Sequence, residues 1–118
     1  MFKGVYTALV TPFKDGKVDE DAYVAMIQEQ IQKGVDGIVP VGSTGEAPTL
    51  TSEEHLRVIG LAVRAADKKI KVIAGTGANS TAEAIYYTVN AEKIGADASL
   101  LIAPYYNKPT QEGLFEHF

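Results

Sequence analysis

Short apolar runs alternate with longer amphipathic segments along the whole sequence, and this alternation constrains the fold more than any other feature. The four runs are predicted strands at residues 5–11, 37–41, 71–75 and 99–103. Each is short and almost continuously apolar, as is typical of a parallel strand that is covered on both faces. The predicted class is therefore α/β, with the element order βαβαβαβ.

The segments between the strands have the length of crossover helices. The first is predicted over residues 19–33, with Tyr23, Ile27 and Ile31 on its buried face and Gly34 just after its C-cap. Thr51 with Glu54 predicts a capping box at the start of the second helix. Its buried stripe is predicted to be Leu56, Ile59, Val63 and Ala66.

The third helix is predicted to begin with the same device, formed by Ser80 and Glu83, and to end at Gly95. Its buried residues are expected to include Ile85 and Val89. A fourth helix starts at about Thr110, and the sequence ends inside it without a glycine, a proline or a polar run. We therefore expect the 118 residues to be the first part of a longer fold.

Two topologies use such an alternation, the doubly wound open sheet and the eightfold β/α barrel. In a barrel, functional residues gather on the loops that follow the carboxyl ends of the strands. In this sequence those loops hold most of the hydroxyl groups, glycines and prolines; they read TPFKDGKVD, GSTGEAPTLT, TGANST and PYYNKPTQ.

Composition limits the classes of partner. A net charge of -4 removes the basic surface that nucleic acids require, and no apolar run is long enough to span a bilayer. The absence of cysteine excludes disulfides, thiolate nucleophiles and cysteine metal sites. We expect one globular, cytoplasmic domain with no nucleic-acid or membrane partner, acting on small molecules or other proteins.

Two of these loops carry glycines beside hydroxyl groups. The loop 42–46, GSTGE, could present N–H groups to a carboxylate or phosphate, and equally could be a tight turn in which Ser43 and Thr44 satisfy local backbone groups. The loop 75–80, GTGANS, nearly matches the dinucleotide fingerprint but ends in Ser80, which is better explained as a helix N-cap. Nucleotide binding is therefore disfavoured.

Several candidate residues also have an ordinary structural explanation. Tyr105 and Tyr106 are adjacent, so their rings are expected to face different surroundings. Glu83 would complete a capping box, and His55 would be solvated in the first turn of a helix. No lysine lies inside an apolar strand, so none is predicted to be the desolvated amine that a Schiff base requires.

At these loops the sequence resembles a known family. With the opening GVYTALVTPF, the stretches VGSTGEAPTLTSEEH, VIAGTGANSTAEAI and APYYNKPTQEGLFEHF are similar to the N-terminal part of the dihydrodipicolinate synthase family. The G-x-T-G-E element is shared with N-acetylneuraminate lyases and indicates only the superfamily of pyruvate-dependent class I aldolases. The PYYNKPTQEGL run selects the synthase.

The resemblance implies a (β/α)8 TIM barrel, of which residues 1–118 supply the first four β/α units. It implies a homotetramer, built as a dimer of dimers, in which a lysine forms a Schiff base with pyruvate. The enamine then attacks L-aspartate-4-semialdehyde, giving 4-hydroxy-tetrahydrodipicolinate on the way to diaminopimelate and lysine. No cofactor is implied beyond the covalently held pyruvate. That lysine falls beyond residue 118, so these residues alone are expected to be inactive.

The resemblance also implies roles for individual residues. Ser43 stands where the family usually has the relay threonine, Thr44 where a threonine helps to hold the pyruvyl carboxylate, and Tyr106 where a tyrosine reaches across a dimer interface. A set of residues resembles the site at which free L-lysine acts as a feedback inhibitor: Ala47, Pro48, His55, Asn79, Glu83 and Tyr105. The alternatives are a non-catalytic half-barrel that self-associates, another aldolase of the superfamily, or a doubly wound anion-binding module.

Overall fold

The predicted strands form one parallel sheet in which neighbours in space are neighbours in sequence. The computed structural model describes residues 2–118. In chain order its elements are β1 (Tyr6–Ala8), β2 (Phe13–Lys14), β3 (Lys17–Val18), α1 (Glu20–Gln32), β4 (Gly37–Val39), a 3-10 turn (Ala47–Thr49), α2 (Ser52–Ala66), β5 (Lys71–Gly75), α3 (Thr81–Ile94), β6 (Ala98–Leu100) and α4 (Gln111–His117). The sheet has the order β1-β4-β5-β6, and every adjacent pair is parallel.

The order of the strands distinguishes the two predicted topologies. The helices α1, α2 and α3 pack successively against one another, which places them on the same face of the sheet. A doubly wound sheet reverses its strand order and carries helices on both faces. The barrel type of topology is therefore confirmed, and the doubly wound alternative is wrong.

The outer strands are shorter than the sequence predicts. β1 and β6 are the edges of the sheet, and each pairs with a neighbour on one side only. The strand pairing ends at Ala8 in β1 and at Leu100 in β6, although Leu9 N–H still donates to the Val39 carbonyl at 3.1 Å. Beyond β1, the Thr11 hydroxyl donates to the Gly45 carbonyl at 2.7 Å and ties the first loop to the second.

A small hairpin follows β1 where the sequence predicts only a turn. β2 and β3 are antiparallel and joined by Asp15 and Gly16, whose φ angles are 52° and 74°. Two successive residues in the left-handed region are what a two-residue hairpin turn requires, and Asp-Gly is a preferred pair for it.

The predicted caps are confirmed in position, but one of the two capping boxes is open. The Thr51 hydroxyl accepts from Glu54 N–H, and the Glu54 carboxylate accepts from Thr51 N–H. At the start of α3 the Ser80 hydroxyl accepts from Glu83 N–H at 3.4 Å, while the Glu83 side chain bonds elsewhere. The predicted second box is therefore only half formed. Gly34 and Gly95 follow their helices with positive φ angles, as predicted.

Helix packing agrees with the sequence for α1 and in part for α2, but not for α3. Tyr23 and Ile27 are fully buried, and Ile59 and Ala66 lie in the same core, with Leu56 and Val63 half-buried. In α3, Ile85 and Val89 are 58% and 40% exposed, so their predicted burial is wrong. The buried residues are Ala84, Tyr87 and Ala91. Their spacing of three and four residues defines a different stripe, which faces α2 and β6.

Two aspartates fasten the starts of the strands at the opposite end of the sheet from the loops. Asp36 precedes β4 and accepts from Val5 N–H at 2.7 Å, and Asp97 precedes β6 and accepts from Val72 N–H at 2.9 Å. Lys71 also donates to Asp97, at 2.5 Å. Burial raises the pKa of Asp97, but the bonds from Lys71 and Val72 outweigh it, and the net shift is downward.

None of the helices described in residues 2–118 is long and apolar enough to cross a membrane.

We predict that Asp97→Asn lowers the free energy of unfolding by about 1 kcal/mol, because a charged acceptor of a backbone N–H is weakened. Urea unfolding at pH 7 measures this loss. Asp67→Asn is the matched control, since the Asp67 carboxylate forms an exposed salt bridge with Lys69, and this substitution is expected to change stability by less than about 0.5 kcal/mol. Equal effects of the two changes would contradict the role given to Asp97.

Candidate functional site at the carboxyl ends of the strands

The loops that follow β4, β5 and β6 meet at one end of the sheet and enclose two small cavities. The first has a volume of about 120 Å³ and is lined by Ser43, Gly75, Leu100 and Tyr105, among others. The second has a volume of about 70 Å³ and is lined by His55, Glu83, Tyr87 and Tyr105, among others. Both include a common wall: Ala47, Pro48, Gly77 and Tyr105.

The loop that carries Ser43 has an unusual backbone at both ends. Val41 is buried with φ 54°, and Glu46 has φ 61°. A β-branched residue in the left-handed region is a genuine outlier, and such strain is kept only where surrounding contacts enforce it. Between these residues, Gly45 N–H donates to Gly42 and Glu46 N–H donates to Ser43. The result is a tight turn that places Ser43 at the first cavity.

Gly75, the last residue of β5, provides the contact that accommodates Val41. A Cβ atom built on Gly75 would lie 2.1 Å from the Val41 carbonyl oxygen. The Gly75 N–H donates to the Pro40 carbonyl at 2.8 Å. The close approach of these two backbones therefore depends on the absence of a side chain at position 75.

His55 is buried, not solvated as the sequence analysis expected. It is 1% exposed, and its Nε2 lies 2.8 Å from the Gly75 carbonyl oxygen. Because a carbonyl only accepts, Nε2 is assigned the proton and donates. Burial lowers the pKa of His55, opposed by the bond to Gly75 and by the charge of Glu83. The imidazole is therefore neutral near pH 7.

Tyr87 joins His55 to Glu83 and was missed by the sequence analysis. Its ring stacks on the imidazole with centroids 3.9 Å apart and an angle of 5° between the planes. Its hydroxyl donates to Glu83 Oε1 at 3.1 Å and accepts from the Ser52 hydroxyl at 3.0 Å. The signal in the sequence was the position of Tyr87 four residues after Glu83, one helical turn away.

The structure brings most of the sequence-predicted site residues together. Ser43 lines the first cavity, and the second is lined by five of the residues whose resemblance suggested a lysine site: Ala47, Pro48, His55, Glu83 and Tyr105. Asn79 lies beside this group, where its carbonyl accepts from Asn107 Nδ2 at 2.8 Å. Thr44 is exposed and lines neither cavity.

The adjacent tyrosines do occupy different surroundings. Tyr105 lines both cavities, whereas Tyr106 is 95% exposed and has φ 68°. All the lysines are exposed, including Lys71, which is the first residue of β5. Within residues 2–118, no group of three or more histidines, aspartates or glutamates is arranged to hold a metal ion.

We predict that His55 makes stability fall with decreasing pH. Its folded pKa lies below the usual value of about 6.5, so the unfolded chain binds the proton more readily, and stability present above pH 6.5 is lost as the pH falls. The slope contributed is at most about 1.4 kcal/mol per pH unit. His55→Gln should reduce the slope of unfolding free energy between pH 7 and 5.5; an unchanged slope would contradict this assignment.

We predict that Gly75→Ala costs about 1–3 kcal/mol of stability, because the new methyl group overlaps the Val41 carbonyl. Thermal or urea unfolding measures the loss. Gly42→Ala is the matched control in the facing loop, since its nearest heavy atom would lie 4.0 Å from the added Cβ. A Gly75→Ala variant as stable as Gly42→Ala would show that the two backbones are not in close contact.

Comparison with known proteins adds to this geometry. The model of the dihydrodipicolinate synthetase family matches residues 1–118. The 4-hydroxy-tetrahydrodipicolinate synthase of Endomicrobium trichonymphae is 60% identical over 118 residues, which is 100% of this chain and 40% of that protein. The chain thus spans about two-fifths of the length of this relative.

Two solved structures of similar proteins were obtained with ligands. The chloride-inhibited dihydrodipicolinate synthase of Acinetobacter baumannii, complexed with pyruvate, is 53% identical with a TM-score of 0.96 over 99% of this chain and 40% of that one. The enzyme of Cyanidioschyzon merolae with lysine bound is 42% identical with a TM-score of 0.95, over 99% and 40%. These four β/α units are the first four of the (β/α)8 barrel, and the chain belongs to the dihydrodipicolinate synthetase family.

Proposed function

We propose that this chain forms part of the active site of a cytoplasmic synthase that condenses pyruvate with L-aspartate-4-semialdehyde to give 4-hydroxy-tetrahydrodipicolinate, on the route to diaminopimelate and lysine. The observation that carries the proposal is the position of Ser43. It stands on a strained turn beside a cavity at the carboxyl ends of the strands, where barrel enzymes place their chemistry.

The proposed reaction begins when a lysine amine attacks the ketone of pyruvate and loses water to give an imine. Loss of a proton from the methyl carbon gives an enamine, whose carbon attacks the aldehyde, and the resulting alkoxide takes up a proton while the imine to the lysine re-forms. The amino group of the former semialdehyde then attacks the imine carbon and displaces the lysine amine, which closes the ring and releases 4-hydroxy-tetrahydrodipicolinate. Each step moves a proton at the covalently held substrate, and no other cofactor is required. Hydroxyl groups such as those of Ser43 and Tyr106 are suited to pass these protons.

The Schiff-base lysine is proposed to lie outside residues 1–118. Every lysine of this chain is exposed, and an exposed amine keeps the proton that it must lose to act as a nucleophile. The chain also spans about 40% of the length of its curated relative. We therefore propose that these residues supply the relay and the pyruvate carboxylate contact, the latter through Thr44, and that they are inactive without the rest of the enzyme.

Tyr106 is proposed to serve the site of a partner subunit in a homotetramer. Its side chain is almost fully exposed, and it lines neither of the two cavities that Tyr105 lines. A hydroxyl held out in this way can act only where another chain covers it. The exposed apolar face of α3, with Ile85 and Val89, is a second surface that supports association of subunits.

The second cavity is proposed to bind L-lysine as a feedback inhibitor. Glu83 is the one charged side chain in its lining, and His55 is neutral near pH 7, so the lining is net negative. A carboxylate in a partly desolvated site attracts an ammonium group. The similar protein of Cyanidioschyzon merolae was solved with lysine bound.

A non-catalytic, self-associating half-barrel is the second candidate. Leu100, Leu101 and Ile102 are exposed at the β6 edge of the sheet, and such an apolar edge favours pairing with another chain. Size-exclusion chromatography of the 118-residue chain, combined with an assay of the condensation of pyruvate with L-aspartate-4-semialdehyde, distinguishes the proposed synthase from the non-catalytic half-barrel. A soluble oligomer without activity, even with the remainder of the enzyme present, would favour this candidate.

We predict that Ser43→Ala in the complete enzyme lowers kcat by about 10²-fold or more, because the proton relay loses its hydroxyl. Ser43→Thr is the matched control, since it keeps the hydroxyl, and its kcat should stay within about threefold of the parent. Steady-state kinetics with pyruvate and L-aspartate-4-semialdehyde measure both. An alanine variant as active as the threonine variant would remove Ser43 from the relay.

A further inference from the structure

Tyr87 lies at the centre of a cluster between α2 and α3, formed with Ser52, His55 and Glu83, and it has no role in the function proposed above. Its ring lies flat against His55, and its hydroxyl bonds to both Ser52 and Glu83. The side chain is buried and lines the second cavity. One residue therefore contacts both of the titratable side chains that face this cavity from α2 and α3.

We propose that Tyr87 is the positioning residue of the second cavity, holding the Glu83 carboxylate in the place where it meets the ammonium group of an amine ligand. This inference rests on the regulatory function proposed for that cavity. Tyr87 is not assigned a part in the condensation itself.

The two capping motifs of the chain supply the main argument. Both α2 and α3 begin with a hydroxyl residue followed three positions later by glutamate. At α2 the box closes, because Glu54 Oε2 accepts from Thr51 N–H at 2.9 Å. At α3 the equivalent Glu83 instead accepts from the Tyr87 hydroxyl.

The residue one turn further along explains this difference. The residue four positions after Glu54 is Val58, which has no donor, whereas the one four positions after Glu83 is Tyr87. A glutamate at this position closes the box in the absence of a competing donor, as Glu54 does. The Tyr87 hydroxyl therefore diverts the Glu83 carboxylate from the helix cap towards the cavity.

The surroundings of Tyr87 fix its hydroxyl for this task. The Ser52 hydroxyl donates to it, which leaves its own proton for Glu83. The stack on His55 fixes the ring plane, and His55 is itself anchored by its bond to Gly75. Because lone pairs remain on the carboxylate, the bond from Tyr87 orients Glu83 without blocking a second donor. The ligand class that fits is a primary amine.

The test compares Tyr87→Phe with Tyr86→Phe in the complete enzyme, using L-lysine as the probe. Tyr87→Phe keeps the stacked ring and removes only the hydroxyl. Tyr86 is its neighbour in the sequence and is 49% exposed, and its ring is tilted by 58° against that of Tyr87 with the centroids 5.7 Å apart. The readouts are the inhibition constant for L-lysine and the KM for pyruvate, measured on the same preparation.

We expect Tyr87→Phe to raise the inhibition constant for L-lysine about 10-fold relative to any change in its KM for pyruvate. This is the effect of losing one hydrogen bond to a charged group. Tyr86→Phe is expected to behave as the parent enzyme. A general loss of structure would raise KM and lower kcat together, and would not single out the inhibition constant. An inhibition constant unchanged by Tyr87→Phe would overturn the inference and leave the regulatory function standing.

A crystal structure of Tyr87→Phe provides the second measurement. Its Glu83 carboxylate should have moved to Ser80 N–H, closing the capping box as at α2. A carboxylate that stays at the cavity would overturn the inference, whatever the kinetics. A parent enzyme that neither binds nor is inhibited by L-lysine would instead refute the proposed regulatory function and the inference with it.

Discussion

The contact between the backbones of Val41 and Gly75 determines the shape of the loop end of this molecule. The carbonyl of Val41 occupies the space that a side chain at position 75 would take. Val41 is held there in a left-handed conformation, and the chain beyond it turns to place Ser43 at the first cavity. The tight turn thus depends on a single missing side chain on the neighbouring strand.

The same glycine links the first cavity to the second. The Gly75 carbonyl accepts a hydrogen bond from His55, whose ring stacks on Tyr87. The Gly75 N–H donates to the Pro40 carbonyl. The two cavities also share a wall that includes Tyr105. A ligand in the second cavity would therefore contact residues that also line the first, and this shared wall would be the physical basis of the regulatory effect proposed above.

Structure could be predicted from the sequence where local signals and tertiary packing agree. The four parallel strands, the N-caps at Thr51 and Ser80 and the loop that carries Ser43 could all be predicted, because hydrophobic period and capping chemistry are local. The hairpin at Asp15 and Gly16 has an equally local signal, because Asp-Gly is a preferred pair for a two-residue hairpin turn.

Prediction failed where a distant partner decides the outcome. Ile85 and Val89 have the apolar character of a core stripe, yet the face of α3 that meets α2 carries two alanines and Tyr87. Glu83 has the sequence of a closed capping box, but the Tyr87 hydroxyl, one helical turn away and bonded to the distant Ser52, competes for its carboxylate. His55 was expected to be solvated, but it is buried. Its hydrogen-bond partner, the Gly75 carbonyl, belongs to a strand 20 residues away, so the residues around His55 in the sequence do not reveal it.

Intact-mass analysis after incubation with pyruvate and borohydride tests the central claim most directly, because reduction traps a Schiff base as a stable adduct. The account predicts one adduct on the complete enzyme and none on the 118-residue chain, whose lysines are all exposed. An adduct on the 118-residue chain would show that one of its own lysines is the nucleophile. No adduct on the complete enzyme would contradict the proposed synthase chemistry.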